Sequence, residues 1–227
     1  MYPLTKTFQS LIKAKLFGLM FISVVLAIAA LLFVVGGITW LTAHFIKIET
    51  GWLDGLVSGL AGALYLIIGW FLLPAFTVLI AGLFQDKAIA RVERVYYPQM
   101  ARKEEFKFWP DFWHDVKFTA WALFLNILAL PLYFFLIGPV VSILLNSYLL
   151  GREFFESAAG YHLGKVHARE FYHHHRGVVY GGGLAITSMT LIPLLNLFVP
   201  LIAVVWMVHV YHELQGNAAV ADGAANV

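Results

Sequence analysis

Ile192-Pro193-Leu194-Leu195-Asn196-Leu197-Phe198-Val199-Pro200 breaks the last apolar block of the chain near its middle. Proline removes a backbone donor and clashes with the preceding turn, so this pair ends one helix and starts another. The arms left on either side, 182–192 and 201–211, are too short to cross a hydrocarbon core, which takes about 20 helical residues. Two such arms predict a re-entrant hairpin that enters and leaves the membrane by one face. A full span kinked by its prolines is the alternative.

Working outward, the preceding apolar block repeats the pattern. Pro131 and Pro139 bracket its centre and leave arms at 118–130 and 140–150. The first two blocks lack a central proline pair. The first, 16–45, has only Gly36 and Gly37 as weak points. It lacks a small-residue cleavage pattern and is longer than a signal-peptide core, so it reads as an uncleaved first span. The second, 51–84, contains Pro74 and continues beyond Gln85, where Ile89, Val92 and Tyr96 keep helical spacing until Pro98. A long helix or a kinked pair, crossing and then emerging into water, fits that stretch.

Composition agrees. Hydrophobic residues make up 61% and charged residues 12% of 227, with a mean hydropathy of +0.80. A soluble domain carries about 25% charged residues, so this chain is built for lipid. Cysteine is absent, which excludes thiolate nucleophiles and cysteine-held metals. A net charge of +2 is too small for a nucleic-acid footprint.

The charges decide between hairpins and spans. Lys6, Lys13 and Lys15 precede the first block; Lys87, Arg91, Arg94, Arg102, Lys103, Lys107 and Lys117 follow the second; Arg152, Lys165, Arg169 and Arg176 lie between the third and fourth. Lys47 alone occupies the first loop. Basic residues favour the cytoplasmic side. Two spans plus two hairpins place 14 basic residues inside and one outside; four full spans split them.

The expected organisation is therefore an all-α membrane domain over 1–213. It comprises an interfacial helix (1–15), a first span (16–45), a second span (51–84) and a cytoplasmic helical and aromatic segment (85–117). A first hairpin (118–150), a basic and histidine-rich loop (151–177), a second hairpin (178–211) and a disordered tail (214–227) complete it. Leu4, Phe8, Leu11 and Ile12 give the first piece an apolar face suited to the membrane plane. Phe106, Phe108, Trp109, Phe112 and Trp113 around Pro110 read as an aromatic belt.

Candidate chemistry is sparse. His162, His167, His173, His174 and His175 cluster, and His167 with His174 is the best-spaced pair, but HEXXH, cysteine partners and paired carboxylates are absent nearby. No metal and no cofactor are expected. The glycine run 181–183 lacks the strand and GK[ST] of a nucleotide loop. With no GxSxG and almost no ionisable group in the apolar cores, an enzyme is not expected. Uncharged polarity is what the cores do hold. Thr187, Ser188, Thr190 and Asn196 surround Pro193, and Asn126, Ser142, Asn146 and Ser147 flank the other break. These groups satisfy freed backbone, bond neighbouring helices or line a polar path. Broken-helix N-termini within a membrane suit an anion. Gly55, Gly59 and Ala63 form a row that permits close helix contact, within one chain or between copies.

The segments Gly182-Gly183-Leu184, Thr187-Ser188-Met189-Thr190 and Ile192–Phe198 with Pro200 resemble the signature of the CysZ-like, etoposide-induced-protein domain family. Phe84-Gln85-Asp86, Val92-Glu93-Arg94, Tyr97-Pro98 and Tyr148–Glu153 extend the similarity over about 8–213. The resemblance implies a multi-pass protein of the bacterial inner membrane, with two long spans and two partly penetrating hairpins, assembled into oligomers. It also implies uptake of sulfate for cysteine biosynthesis. One departure stands out. Where the sulfate-transporting branch has an arginine pair before the first span, this chain has Lys13-Ala14-Lys15. Arginine grips a tetrahedral oxyanion with two parallel hydrogen bonds, whereas lysine is a point charge. The expected substrate-binding residues are Lys13 and Lys15 at the mouth, and Gly183, Thr187, Thr190 and Asn196 along the broken helix. The expected partners are the lipid bilayer, a small inorganic anion and further copies of the chain. A non-transporting membrane scaffold with a cytoplasmic docking loop is the other reading.

Overall fold

The computed structural model describes residues 3–45, 51–99, 108–135 and 137–225. Every regular element among them is helical. The sequence elements Lys47, Arg102, Lys103, Phe106 and Lys107 lie outside the described residues.

A short helix, α1 (Leu4–Lys13), leads through a turn into α2 (Phe17–Phe45), which packs against α3 (Gly51–Gly82). Lys15 takes φ 53° in that turn, a left-handed conformation uncommon for a lysine. Thr7, Ser10 and Leu11 of α1 are buried, while Leu4, Phe8 and Ile12 remain exposed. Three of the four apolar side chains of its expected face are thus left outward. Residues 17–41 form a helix long and apolar enough to cross a bilayer. The 32 residues of α3 extend about 48 Å at 1.5 Å per residue.

Pro74 does not break α3. The bend falls later, at Leu83 and Phe84, where residues 72–82 meet α4 (Gln85–Tyr96) at 56°. Asp86, Lys87, Arg91, Glu93 and Arg94 make α4 polar, and Ala88, Ile89 and Val92 bury its apolar stripe. It ends where Pro98 forces the preceding residue out of the helical region.

The hairpins exist, with proportions that proline spacing alone does not give. Helix α5 (Phe108–Ala129) runs into a 3-10 turn (Leu130–Phe134) and returns as α6 (Gly138–His174). Pro139 sits at the start of α6, where its missing N–H costs nothing. Phe118 lies against Arg152 and His114 near Glu156, which fixes the two as antiparallel. Because α5 begins at Phe108 and not at 118, residues 113–132 are also long and apolar enough to cross a bilayer. At the turn, Leu130, Phe135 and Ile137 are exposed and apolar.

The stretch 151–177, expected as a loop, is helical through His174. Helix α6 reverses at Gly164, whose φ of 72° and ψ of 153° suit glycine alone. The chain folds back so that Phe171 stacks on Phe155 at 6.2 Å. Helix α7 (Arg176–Thr190) then crosses α6, and a one-turn α8 (Pro193–Asn196) leads into α9 (Val199–Ala225). Gly182 faces Met207 and Trp206, so α7 and α9 form the second hairpin. Leu191, Ile192 and Leu194 at its tip are exposed. Residues 199–212 are buried throughout, because α9 packs against α1, α3, α4, α6 and α7. The returning arm of this hairpin is therefore the core of the molecule. Helix α9 also continues through Ala225, where disorder is expected from 214.

Candidate functional site

Polar chemistry concentrates along α6, where three groups of side chains meet. The first is a basic cavity of about 330 Å3 between α5 and α6, lined by Lys117, Arg152, Arg169 and His173 with aromatic walls that include Phe118 and Trp121. The antiparallel register brings Lys117 and Arg152 together, and the reversal at Gly164 returns Arg169 and His173 to them. Arg152 is buried. Its Nε donates to Glu156 Oε1 at 2.7 Å and its Nη1 to the Tyr148 hydroxyl at 3.3 Å. Burial disfavours the Arg152 charge, but Glu156 outweighs it and holds the guanidinium protonated. Some burial and then Arg169, Arg152 and Arg176 lower the pKa of His173. A ring so placed is a neutral hydrogen-bonding group at pH 7.

A second cavity, of about 320 Å3, opens where α5 and α6 meet the α3–α4 bend; Asp115, Glu153, Glu156 and Lys165 line it. Lys165 closes it with an ion pair to Asp115. Burial, and to a lesser degree Asp115 and Glu156, raise the pKa of Glu153 against the pull of Lys165. This side of α6 is acidic and the other is basic.

The third group is buried where α4, α6 and α9 meet. Glu93 Oε1 lies 2.5 Å from His162 Nε2 and 2.9 Å from His212 Nε2. Burial alone would raise the pKa of Glu93; the hydrogen bonds from His162 and His212 outweigh it, leaving the carboxyl below its ordinary value. Tyr97 stacks on His212 with ring centroids 3.9 Å apart. Burial, with Glu213 and Glu93, pushes the Tyr97 hydroxyl up to about 12, so it donates its proton to His209 Nδ1 at 2.9 Å. His209 then donates from Nε2 to Ser10 at 2.8 Å, and Ser10 donates to the Lys6 carbonyl. An unbroken chain of hydrogen bonds joins α1 to α9 and the end of α4.

The residues expected from sequence to bind substrate do not form one site. Lys13 is exposed, its ammonium 5.8 Å from the Tyr96 ring centroid. Lys15 is exposed as well, and its carbonyl accepts from Arg91 at 3.2 Å. Both stand beside α4. Gly183 is buried at the α6–α7 crossing, and a Cβ there would lie 2.0 Å from the Ser147 carbonyl oxygen. Thr187 is buried one turn further along, with its hydroxyl unpaired. Thr190 donates to the Thr187 carbonyl at 2.7 Å, and Asn196 is half-buried in α8. These four share the second hairpin. Sequence reasoning passed over Glu93, His212, Lys117 and Arg169. For Glu93 a signal existed, since an acid four residues after Ile89 and one after Val92 stands on the only apolar face of α4. The exposed His167 and His174 do not join the buried histidines.

A family profile described as sulfate transporter CysZ/etoposide-induced protein 2.4 matches residues 4–200. Comparison with curated proteins and with solved structures gives no match. The profile takes in both hairpin turns, all of α1 to α8 and the first residues of α9, and on that extent the chain belongs to the sulfate transporter CysZ/etoposide-induced protein 2.4 family.

Proposed function

We propose that the protein is an oligomeric, channel-like permease for a small tetrahedral dianion, sulfate, that supplies sulfur assimilation across the bacterial inner membrane. The observation that carries this reading is the basic cavity of Lys117, Arg152 and Arg169. Two guanidinium groups there provide the forked donors that Lys13 and Lys15 lack. One carboxylate, Glu156, engages Arg152, so Lys117 and Arg169 supply the excess positive charge that a dianion needs. In this reading Lys13 and Lys15 mark the cytoplasmic mouth. Thr187, Thr190 and Asn196 offer polar contacts along the second hairpin, and Gly183 serves them by letting α7 cross α6 closely. The Gly59 face meets nothing within 4 Å and Ala63 is exposed, which supports contact with another copy through α3.

Radiolabelled sulfate uptake into proteoliposomes tests the proposal. Uptake above that of protein-free liposomes, competed by unlabelled sulfate, is the expected result. A folded, verified preparation with no sulfate flux overturns it.

A further inference from the structure

We propose that Glu93, His162 and His212 form a binding site for a zinc-class divalent metal ion that fastens α4, α6 and α9 together. The three ligand atoms all lie within 4.8 Å of one another and each residue is buried. They come from three helices, separated by 69 residues between Glu93 and His162 and by 119 between Glu93 and His212. Two imidazoles and one carboxylate, without thiolate, make a set that zinc accepts, leaving a further position for water. Bonds of 2.0–2.1 Å in tetrahedral geometry put ligand atoms about 3.3 Å apart. Both histidines present Nε2 to the same carboxylate oxygen, so admitting a metal opens the 2.5 Å contact by about 0.8 Å and the 2.9 Å contact by about 0.4 Å.

Aromatic stacking holds both rings in place. Tyr97 covers one face of His212, and Tyr211 stacks on His162 at 5.8 Å with planes 14° apart. Tyr97 is itself anchored through His209 and Ser10. His212 Nδ1 is buried without a hydrogen-bond partner. The contact with the Glu93 carboxylate, an acceptor, places a proton on Nε2; a metal bound there takes that lone pair and displaces the proton. A buried carboxylate also places negative charge where solvation is poor, which a cation offsets.

Purified full-length protein without a histidine tag, stripped with chelator and dialysed against zinc chloride, tests this. After gel filtration, elemental analysis should find about one zinc per chain. Cobalt substitution should give the intense visible absorption of a four-coordinate site, and zinc should raise the melting temperature. His162→Gln with His212→Gln should lose at least tenfold in retained zinc, and Glu93→Gln should weaken binding while keeping an acceptor for both rings. Circular dichroism and elution volume report whether these variants fold. His174→Gln with His175→Gln, on the exposed run, should retain zinc as the wild type does. Equal zinc in the wild type and the His162/His212 variant, or loss only in the His174/His175 variant, overturns the proposal.

Discussion

Gly151 of α6 and Gly183 of α7 meet backbone to backbone: a Cβ built on Gly183 falls 2.8 Å from the Gly151 Cα, and one on Gly151 falls 3.0 Å from the Gly183 Cα. The two hairpins are thereby held at a crossing that no side chain can enter. Everything on α6 beyond it, including Arg152 and Glu156, takes its position from that contact.

Gly183→Ala should separate α6 from α7, because the clashing atoms are backbone. The cost expected is about 1–3 kcal/mol of overpacking or more, set against about 1 kcal/mol gained from helix propensity. Gly182→Ala meets only side-chain atoms, the terminal methyl of Met207 at 2.9 Å and Trp206 Nε1 at 3.2 Å, and should cost less than Gly183→Ala. Thermal melts of both variants in detergent check the contrast; equal melting temperatures would contradict it.

Glu156→Gln should be among the most damaging single changes. It leaves the Arg152 charge buried without a counter-charge, at a cost of about 3–5 kcal/mol. The double change Arg152→Met with Glu156→Leu removes both charges and should recover most of that loss. A double-mutant cycle on unfolding free energy measures the coupling.

The stability contributed by Glu153 depends on pH in a direction opposite to that of an ordinary ion-paired acid. Its folded-state pKa is raised by burial, so the folded protein holds a proton that the unfolded chain releases. Below about pH 4.3, the ordinary glutamate value, the group is protonated in both states and imposes no cost. As pH rises from there through the folded-state pKa, stability falls. Glu153→Gln removes that loss, so its melting temperature should exceed the wild type at pH 7, by about 2–4 °C if the cost is about 1 kcal/mol. The gap should narrow towards pH 4. A gap that widens on acidification would contradict the assignment.

Hairpin topology predicts accessibility. The chain has no cysteine, so single substitutions report cleanly. His167 is exposed on the returning arm of α6, whereas neighbouring Ala168 is fully buried and would label poorly in any topology. His167→Cys should react with an impermeant thiol reagent only after cells are opened, while Ile48→Cys should react in intact cells. Equal labelling in intact cells would contradict the hairpins.

How much of this was legible in the sequence follows from the range of the forces involved. Proline acts on its own backbone, so the breaks near Pro131, Pro139, Pro193 and Pro200 were readable, and each falls at a helix boundary or turn. The 151–174 arm was misjudged as a loop because its charges suggested water. Charge says where a segment lies, not whether it is helical, and Arg152–Ala159 contains good helix formers with no proline. Gly164 could not be singled out as the reversal from one sequence. The basic cavity and the Glu93 cluster depend on pairings between distant helices, which periodicity does not encode. Lys13, Lys15 and the second-hairpin residues were read as one path, yet the fold sets the lysines beside α4 and the others on α7 and α8.

Initial rates of sulfate and chloride uptake into proteoliposomes, compared between wild type and Arg169→Gln and Lys117→Gln, test the central claim most directly. Both residues are exposed in the basic cavity, so their loss should leave the fold intact. Losing one charge-assisted hydrogen bond, about 1.5–3 kcal/mol, should lower sulfate uptake about tenfold or more, with a smaller fall for chloride. Sulfate rates unchanged in both variants would contradict the account.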